Sequence, residues 1–308
     1  MVLEKTDRPS ASPSQPPRPP MPEHTFRRRR AGAGVLGVMA IALLVATLSS
    51  HGGAAKARSR PTVSRVAMPS PSAAERQAQT VKAESRAIDS VLSYTPAIVS
   101  GGATGNKVAL TFDDGPGPYT ERLVATLNRL HVKATFFAVG SQEQYFSQGT
   151  IDELGSGDVV GDHTETHPMM ASLSPHDQYQ QLFQQMTQIE PIGPRPRLFR
   201  PPYGSFNATT FRELRHLHLL MVLWSVDTAD YSMPGAQAIA QRALAGAKPG
   251  AIILMHDAGG NRSQTIAALP AIVRGLRKRG LRPVTVPQLL LDDPPPRGQP
   301  IPTSLTGG

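Results

Sequence analysis

From residue 101 onward, short apolar runs alternate with longer stretches in which apolar positions recur every three or four residues. The short runs predict strands at 108–112, 134–139, 159–161, 198–199, 221–226, 251–255 and 283–286. The longer stretches predict helices at 119–130, 175–189, 208–217, 236–245 and 266–279. The second of these has a clear start, with Ser174 as N-cap, Pro175 at the first helical position and Asp177 in the first turn. Strand and helix alternating at this spacing predict an α/β fold with parallel strands, and about seven strands favour a barrel over an open sheet. In such a fold the reactive side chains gather on the loops that follow the strands.

A different pattern occupies the first hundred residues. Residues 1–26 are rich in Pro and Ser, a composition that buries little and predicts disorder. Arg27–Arg30 then abut residues 31–50, a run without a charged side chain. As a helix, that run is about 30 Å long, enough for a bilayer core. Two readings stand: a membrane-spanning signal anchor with residues 1–30 as a basic cytoplasmic leader, or a signal peptide cut after Ala55-Lys56-Ala57. A buried core helix is the third, with little nearby to cover it. Both leading readings place the rest of the chain outside the membrane, as a single-pass cell-membrane protein or a secreted one. Residues 51–100 read as a linker with a helix near 73–92, residues 101–290 as the folded domain, and residues 291–308 as a disordered, Pro-rich tail.

Charge follows the same division. Residues 1–100 hold 14 Lys+Arg against 6 Asp+Glu, whereas residues 101–290 hold 17 against 15. The +9 of the whole chain therefore sits in the leader, where it fits a membrane surface. No basic face is left on the domain for nucleic acid. Cysteine is absent, so a metal would have to be held by His, Asp or Glu.

The candidate chemistry sorts onto the predicted strand ends. Strand 108–112 runs into Asp113-Asp114-Gly-Pro, adjacent carboxylates that repel unless a positive charge lies beside them. Alone this is equally an exposed turn. His163-Thr-Glu-Thr-His167 sets two imidazoles four residues apart, which on a helical turn would share one face and one metal. Two histidines with one carboxylate make a three-ligand set that leaves a position for water. Arg200-Pro-Pro-Tyr203 follows another strand, where Arg200 can neutralise a carboxylate and Tyr203 can offer its ring or its backbone N–H. Asp227 and Asp230 follow the next strand, and His256 ends the one after, as a core histidine or a general acid. The other six histidines fall in leader, loop or helix positions.

These five segments, in this order, resemble the motifs of the polysaccharide deacetylases, the NodB-homology proteins of carbohydrate esterase family four. The resemblance covers residues 101–290. It implies a distorted parallel β/α barrel and a divalent metal, usually zinc with cobalt an alternative, held by Asp114, His163 and His167. It further implies Asp113 as general base, held by Arg200, and His256 as the acid that protonates the leaving amine. The Tyr203 backbone N–H would stabilise the oxyanion, and Asp230 or Asp227 would pair with His256 and raise its pKa. The family's fourth motif usually closes with tryptophan. Tyr231 stands there instead, as a more polar wall for the sugar, and the chain's single tryptophan, Trp224, sits in a predicted strand. The expected activity is removal of N-acetyl groups from a polysaccharide containing N-acetylglucosamine, peptidoglycan or a chitin-like polymer. An O-acetyl esterase acting on acetylated xylan-type glycans is one alternative. A silent carbohydrate-binding module at the cell surface is the other, and a module of that kind would have no use for both Asp113 and His256.

Overall fold

The computed structural model describes residues 73–302. The central strand, β2 (Lys107–Asp113), is buried on both faces, which is why it reads as an unbroken apolar run. Val108, Leu110 and Phe112 pack outward under α2 (Thr120–Arg129) and α7 (Ser263–Lys278), while Ala109 joins the core on the other face. Around β2 lie β3 (Thr135–Ala138), β4 (Val159–Asp162) and β5 (Leu198–Phe199) on one side, and β8 (Ile252–His256) on the other. With β1 (Ala97–Ile98), β6 (Leu220–Val222) and β7 (Val226–Asp227) the order is β1-β6-β5-β4-β3-β2-β8-β7, and β9 (Arg282–Val284) pairs with the start of β2. Every pairing between named strands is parallel.

The single strand expected over 221–226 is two strands towards opposite ends of this order, β6 second from one end and β7 at the other. β6 pairs with β1 and β5, and β7 pairs with β8. Between them Leu223 donates its N–H to Ile98 and Ser225 donates to Ile252, so three residues of main chain carry the sheet from one edge to the other. The sheet is thus a curled, incompletely closed barrel rather than an open one. An apolar run cannot reveal a change of partner halfway along it.

Two further helices lie outside the sequence expectation. α3 (Glu143–Ser156) turns Glu143, Gly149, Thr150 and Glu153 inward, so it has no apolar stripe to announce it. The strand expected over 283–286 stops at Val284, because Thr285 caps α8 (Val286–Asp292) by accepting the Gln288 N–H at 3.2 Å. α4 (Pro175–Ile189) begins where Ser174 and Pro175 predict, with Ser174 Oγ accepting from Asp177 N at 3.2 Å. α5 (Ala208–Leu217) is closed by a capping box between Asn207 and Thr210, and α6 (Ala236–Gly246) follows β7.

The segment expected as a linker is ordered in its described part. α1 (Ala73–Leu92) packs on α8 and buries Ile88 and Val91, Arg197 binds its Asp89 at 2.5 Å, and β1 completes the sheet edge. The expected disordered tail is likewise anchored as far as residue 302. Asp293 accepts the N–H groups of Thr104 and Gly105 at 2.9 and 2.7 Å, and Gln299 accepts from Val99 N at 2.8 Å. These partly buried polar contacts have no signature in a Pro-rich composition. The expected leader (1–30) and membrane or signal segment (31–50) lie outside the described residues, among which no helix is long and apolar enough to cross a membrane.

Candidate active site

Parallel register brings the strand ends level. Asp113 lies beside Phe137 of β3 on one side and His256 of β8 on the other, and Asp162, which precedes His163, lies beside Phe199, which precedes Arg200. The expected site residues therefore converge on one cavity of about 520 Å³, lined by Asp113, Asp114, His163, His167, Tyr203, Tyr231 and His256 among others.

Arg200 fixes the first carboxylate. It is fully buried, and its Nη1 donates to Asp113 Oδ1 and to Thr111 Oγ1, both at 2.8 Å. Nε donates to the Val222 carbonyl at 3.0 Å and Nη2 to that of Leu223 at 3.1 Å. The guanidinium packs 4.3 Å from the centre of the Phe137 ring. Burial pulls the Arg200 pKa down while Asp113 opposes the shift, and a buried arginine held this fully stays charged. Asp113 Oδ2 is left facing the cavity side, 3.8 Å from His163 Nε2.

The second carboxylate meets the two imidazoles. Asp114 sits at φ 74°, a left-handed conformation that turns its side chain away from the strand direction. Its Oδ1 lies 3.1 Å from His167 Nε2 and 3.6 Å from His163 Nε2. His163 Nδ1 lies 2.6 Å from the Arg200 carbonyl, which can only accept, so Nδ1 carries the proton and the Nε2 lone pair points at Asp114. His167 Nδ1 lies 3.2 Å from Tyr203 Oη. One atom from each of Asp114, His163 and His167 lies within 4.8 Å of the others, and Asp114 Oδ1 is buried with no hydrogen-bond partner among the described residues. Lone pairs crowded together in this way repel unless a cation lies between them, so the donor set fits a divalent metal.

The His-to-His segment is not the helical turn that its spacing suggests. It is a loop with Thr164 at φ 70° and His167 at φ 60°. Asp162 Oδ1 accepts from Thr164 N at 2.7 Å, and Thr164 Oγ1 accepts from His167 N at 3.0 Å. α4 supports it from below: Gln181 Oε1 accepts from Thr166 N and its Nε2 donates to Thr166 Oγ1, both at 2.9 Å, while buried Gln185 donates to the Ala138 carbonyl at 3.1 Å. The sequence carried a signal for these residues. Gln178 and Gln185 lie two turns apart on the buried face of an otherwise amphipathic helix, with half-buried Gln181 beside them.

On the other flank, His256 Nδ1 donates to Asp230 Oδ1 at 2.8 Å. Asp230 Oδ2 also accepts from His256 N at 2.9 Å and from Thr265 Oγ1 at 2.7 Å. Burial would lower the His256 pKa, but Asp230, helped by Asp114 and Asp113, pushes it up to about 9. Asp227 is not the partner: its Oδ1 accepts from Ala229 N at 2.7 Å, a local turn. Tyr231, partly exposed, stands edge-on to His256 with ring centroids 5.6 Å apart. Tyr203 sits at φ 58° at the cavity mouth.

Three contributors lie outside the sequence expectation. Trp224, at the break between β6 and β7, is buried yet forms part of the cavity wall. Asp257 is fully buried behind the 113–117 turn, with its N–H donating to the Asp113 carbonyl at 3.1 Å and its carboxyl accepting from Thr120 Oγ1. Burial, opposed by Thr120 but reinforced by the charges of Asp114 and Asp113, pushes its pKa up to about 7. A side chain at Gly115 would collide with that carboxyl, so the turn needs glycine there. Arg262, almost wholly buried, lies 4.0 Å from Asp114 Oδ2.

Comparison with known proteins agrees with this geometry. Residues 100–222 match the family model described as polysaccharide deacetylase. The chain is 37% identical over 186 residues to a peptidoglycan-N-acetylglucosamine deacetylase of Bacillus cereus, covering 59% of this chain and 87% of the relative. It is 33% identical over 210 residues to a chitooligosaccharide deacetylase of Sinorhizobium fredii, covering 64% and 98%. A solved peptidoglycan N-acetylglucosamine deacetylase in complex with 4-naphthalen-1-yl-N-oxidanyl-benzamide superposes with a TM-score of 0.62 at 32% identity, over 65% of this chain and 95% of that one. The chain belongs to the polysaccharide deacetylase family, hydrolases that act on N-acetyl amide bonds.

Proposed function

We propose that this protein is a metal-dependent hydrolase that removes N-acetyl groups from polysaccharide containing N-acetylglucosamine, with peptidoglycan as its polymer. One observation carries this reading. Three facing lone-pair atoms on Asp114, His163 and His167 are flanked by a carboxylate, Asp113, and by a buried, proton-holding imidazole, His256. Asp114, His163 and His167 would hold a divalent cation, zinc by preference for this N/O donor set, and such an ion supplies Lewis-acid activation of water and of the amide carbonyl.

The chain's own residues then move the protons. Asp113 Oδ2, whose partner oxygen is held by Arg200, takes a proton from the attacking water as its oxygen bonds to the acetyl carbon. His256, held by Asp230, donates a proton to the sugar nitrogen as the C–N bond breaks, leaving acetate and a free amine. The Tyr203 backbone N–H serves the oxyanion, a task suited to a pre-placed dipole, while the Tyr203 and Tyr231 rings wall the sugar.

Support for peptidoglycan comes from the relatives' names and from the uncharged run at 31–50 behind Arg27–Arg30, which would place the domain outside the membrane. Metal analysis of the purified chain coupled to acetate release from peptidoglycan, chitin oligomers and acetylated xylan tests the reading. The expected result is one equivalent of metal, and acetate from the N-acetylated glycans that chelation abolishes. Release from xylan alone, or from none, would refute it.

A further inference from the structure

Arg262 lines the cavity but has no part in the proton transfers above. It ends the loop that follows β8, in which Gly259 and Gly260 hold φ of 70° and 149°. A side chain at Gly259 would run into the Asp114 carboxylate, so the loop is pressed against the site and glycine is what lets it approach. Arg262 itself keeps 3% of its exposure, with Nε anchored to the Ala258 carbonyl at 2.5 Å. Its two terminal nitrogens make no hydrogen bond to the described residues, yet they are not among the atoms sealed from solvent. The nearest carboxylate oxygen, Asp114 Oδ2, stands at 4.0 Å, beyond hydrogen-bond reach.

A buried guanidinium normally satisfies its N–H groups, as Arg200 does with four acceptors. Arg262 presents an anchored fork to the cavity instead. Asp113 is taken by Arg200, and Asp114 turns Oδ1 to the imidazoles, leaving Oδ2 as a long-range counter-charge to Arg262 at 4.0 Å that fills none of its N–H groups. The matching ligand for a free, planar fork is a group with two acceptor oxygens, and a carboxylate fits best. We infer that Arg262 binds a carboxylate carried by the substrate beside the reacting acetamido group. Among N-acetylated amino sugars, muramic acid supplies it: the lactyl ether on C3 adjoins the nitrogen on C2. A chitin chain has no such group. The inference rests on the deacetylase reading and narrows it to glycan in which the lactyl carboxylate is free.

The test uses the full chain, zinc-loaded, on three probes: the tetrasaccharide of alternating N-acetylglucosamine and N-acetylmuramic acid, its lactyl methyl ester, and chitotetraose. One charge-assisted pair predicts a kcat/KM about 30-fold higher on the acid than on its ester. Arg262→Gln should collapse the acid-to-ester ratio towards one while retaining one equivalent of zinc, and Arg262→Lys should restore part of the ratio. A wild-type ratio of one overturns the inference without recourse to any variant. So does an equal loss on acid and ester in Arg262→Gln, or loss of zinc, either of which would make Arg262 a support for Asp114. Cleavage of none of the probes by wild type would instead sink the deacetylase reading on which the inference stands.

Discussion

The two flanks of the site are built differently. On the Asp114–His163–His167 side the support is spread: the Arg200 carbonyl holds His163, Tyr203 meets His167, Thr164 and Gln181 of α4 tie down the loop between them, and Asp114 and His167 are placed by main chain at positive φ. On the His256 side, orientation and charge both hang on one buried carboxylate, Asp230, with Thr265 behind it. A site that must grip a cation spreads its support, since imidazoles and a carboxylate at fixed distances need many restraints. A site that must give up a proton concentrates it, because one strong partner sets the pKa.

The sharpest way to break this comparison is at the carboxylate between the flanks. Asp113→Asn keeps the shape and removes the base, so turnover should fall about 10³-fold. Metal content, read by elemental analysis, should stay at one equivalent. If the metal were lost instead, Asp113 and Asp114 would have to exchange roles. The ligand flank gives the complementary result. His163→Ala should empty the site, and an unchanged stoichiometry would rule out the donor set.

Next in size is Asp230→Asn. His256, pushed up to about 9, is protonated through neutrality, so the rate should fall on the alkaline side at or somewhat below pH 9, a bound cation pulling it down. Without the Asp230 charge the limb should move towards the ordinary histidine value of 6.5, with kcat/KM at pH 8 down about 10²-fold. Stability carries the same sign. The folded pKa of His256 lies above its unfolded one, so its contribution is complete below about 6.5 and is lost as pH rises through about 9. A pH–rate profile in Asp230→Asn that keeps its alkaline limb would show that another group protonates the amine.

The spread support of the ligand flank predicts a smaller effect. Gln181→Ala removes two contacts to Thr166 but leaves Asp162, Thr164 and Gln185 in place. Metal affinity should weaken about tenfold, with the melting temperature lowered by a few degrees at most. Loss comparable to His163→Ala would mean that the loop depends on this one residue.

What the sequence made legible follows the same physics. Asp113, His163, Arg200 and His256 stand at or just after the ends of predicted strands, and parallel register alone brings such positions level, with Asp230 in the short turn beyond β7. The start of α4 was legible because Ser174 and Pro175 act locally. The split between β6 and β7 was not, since the run from Leu220 to Val226 is apolar but for Ser225 and its partners lie far off in sequence. α3 was hidden because its inward face is Glu143, Thr150 and Glu153 rather than leucines. The helical placing of His163 and His167 failed because spacing of four is also what a loop with two left-handed residues can deliver. Asp257 and Arg262 lie in a glycine-rich loop, where charges usually face water, and only the packing of that loop on the 113–117 turn makes them internal.

Asp257 gives the smallest effect and the finest probe of that packing. Burial raises its pKa to about 7 in the folded chain from an ordinary 3.8, so the native state binds a proton that the unfolded chain releases. For an acid with a raised pKa, stability falls as pH climbs from about 3.8 to about 7 and stays at the lower level above that. Asp257→Asn replaces the carboxyl with a neutral group of the same shape, still able to accept from Thr120. In chelator-treated protein, the variant should therefore melt at or above the wild-type temperature at pH 8. The gap should narrow as pH is lowered below 7 and close only below about 3.8, where the wild-type carboxyl is protonated in both states. A variant that melts lower than wild type at pH 8 would mean that Asp257 is held as an anion by the turn it supports, and that the 113–117 segment depends on its charge rather than its shape.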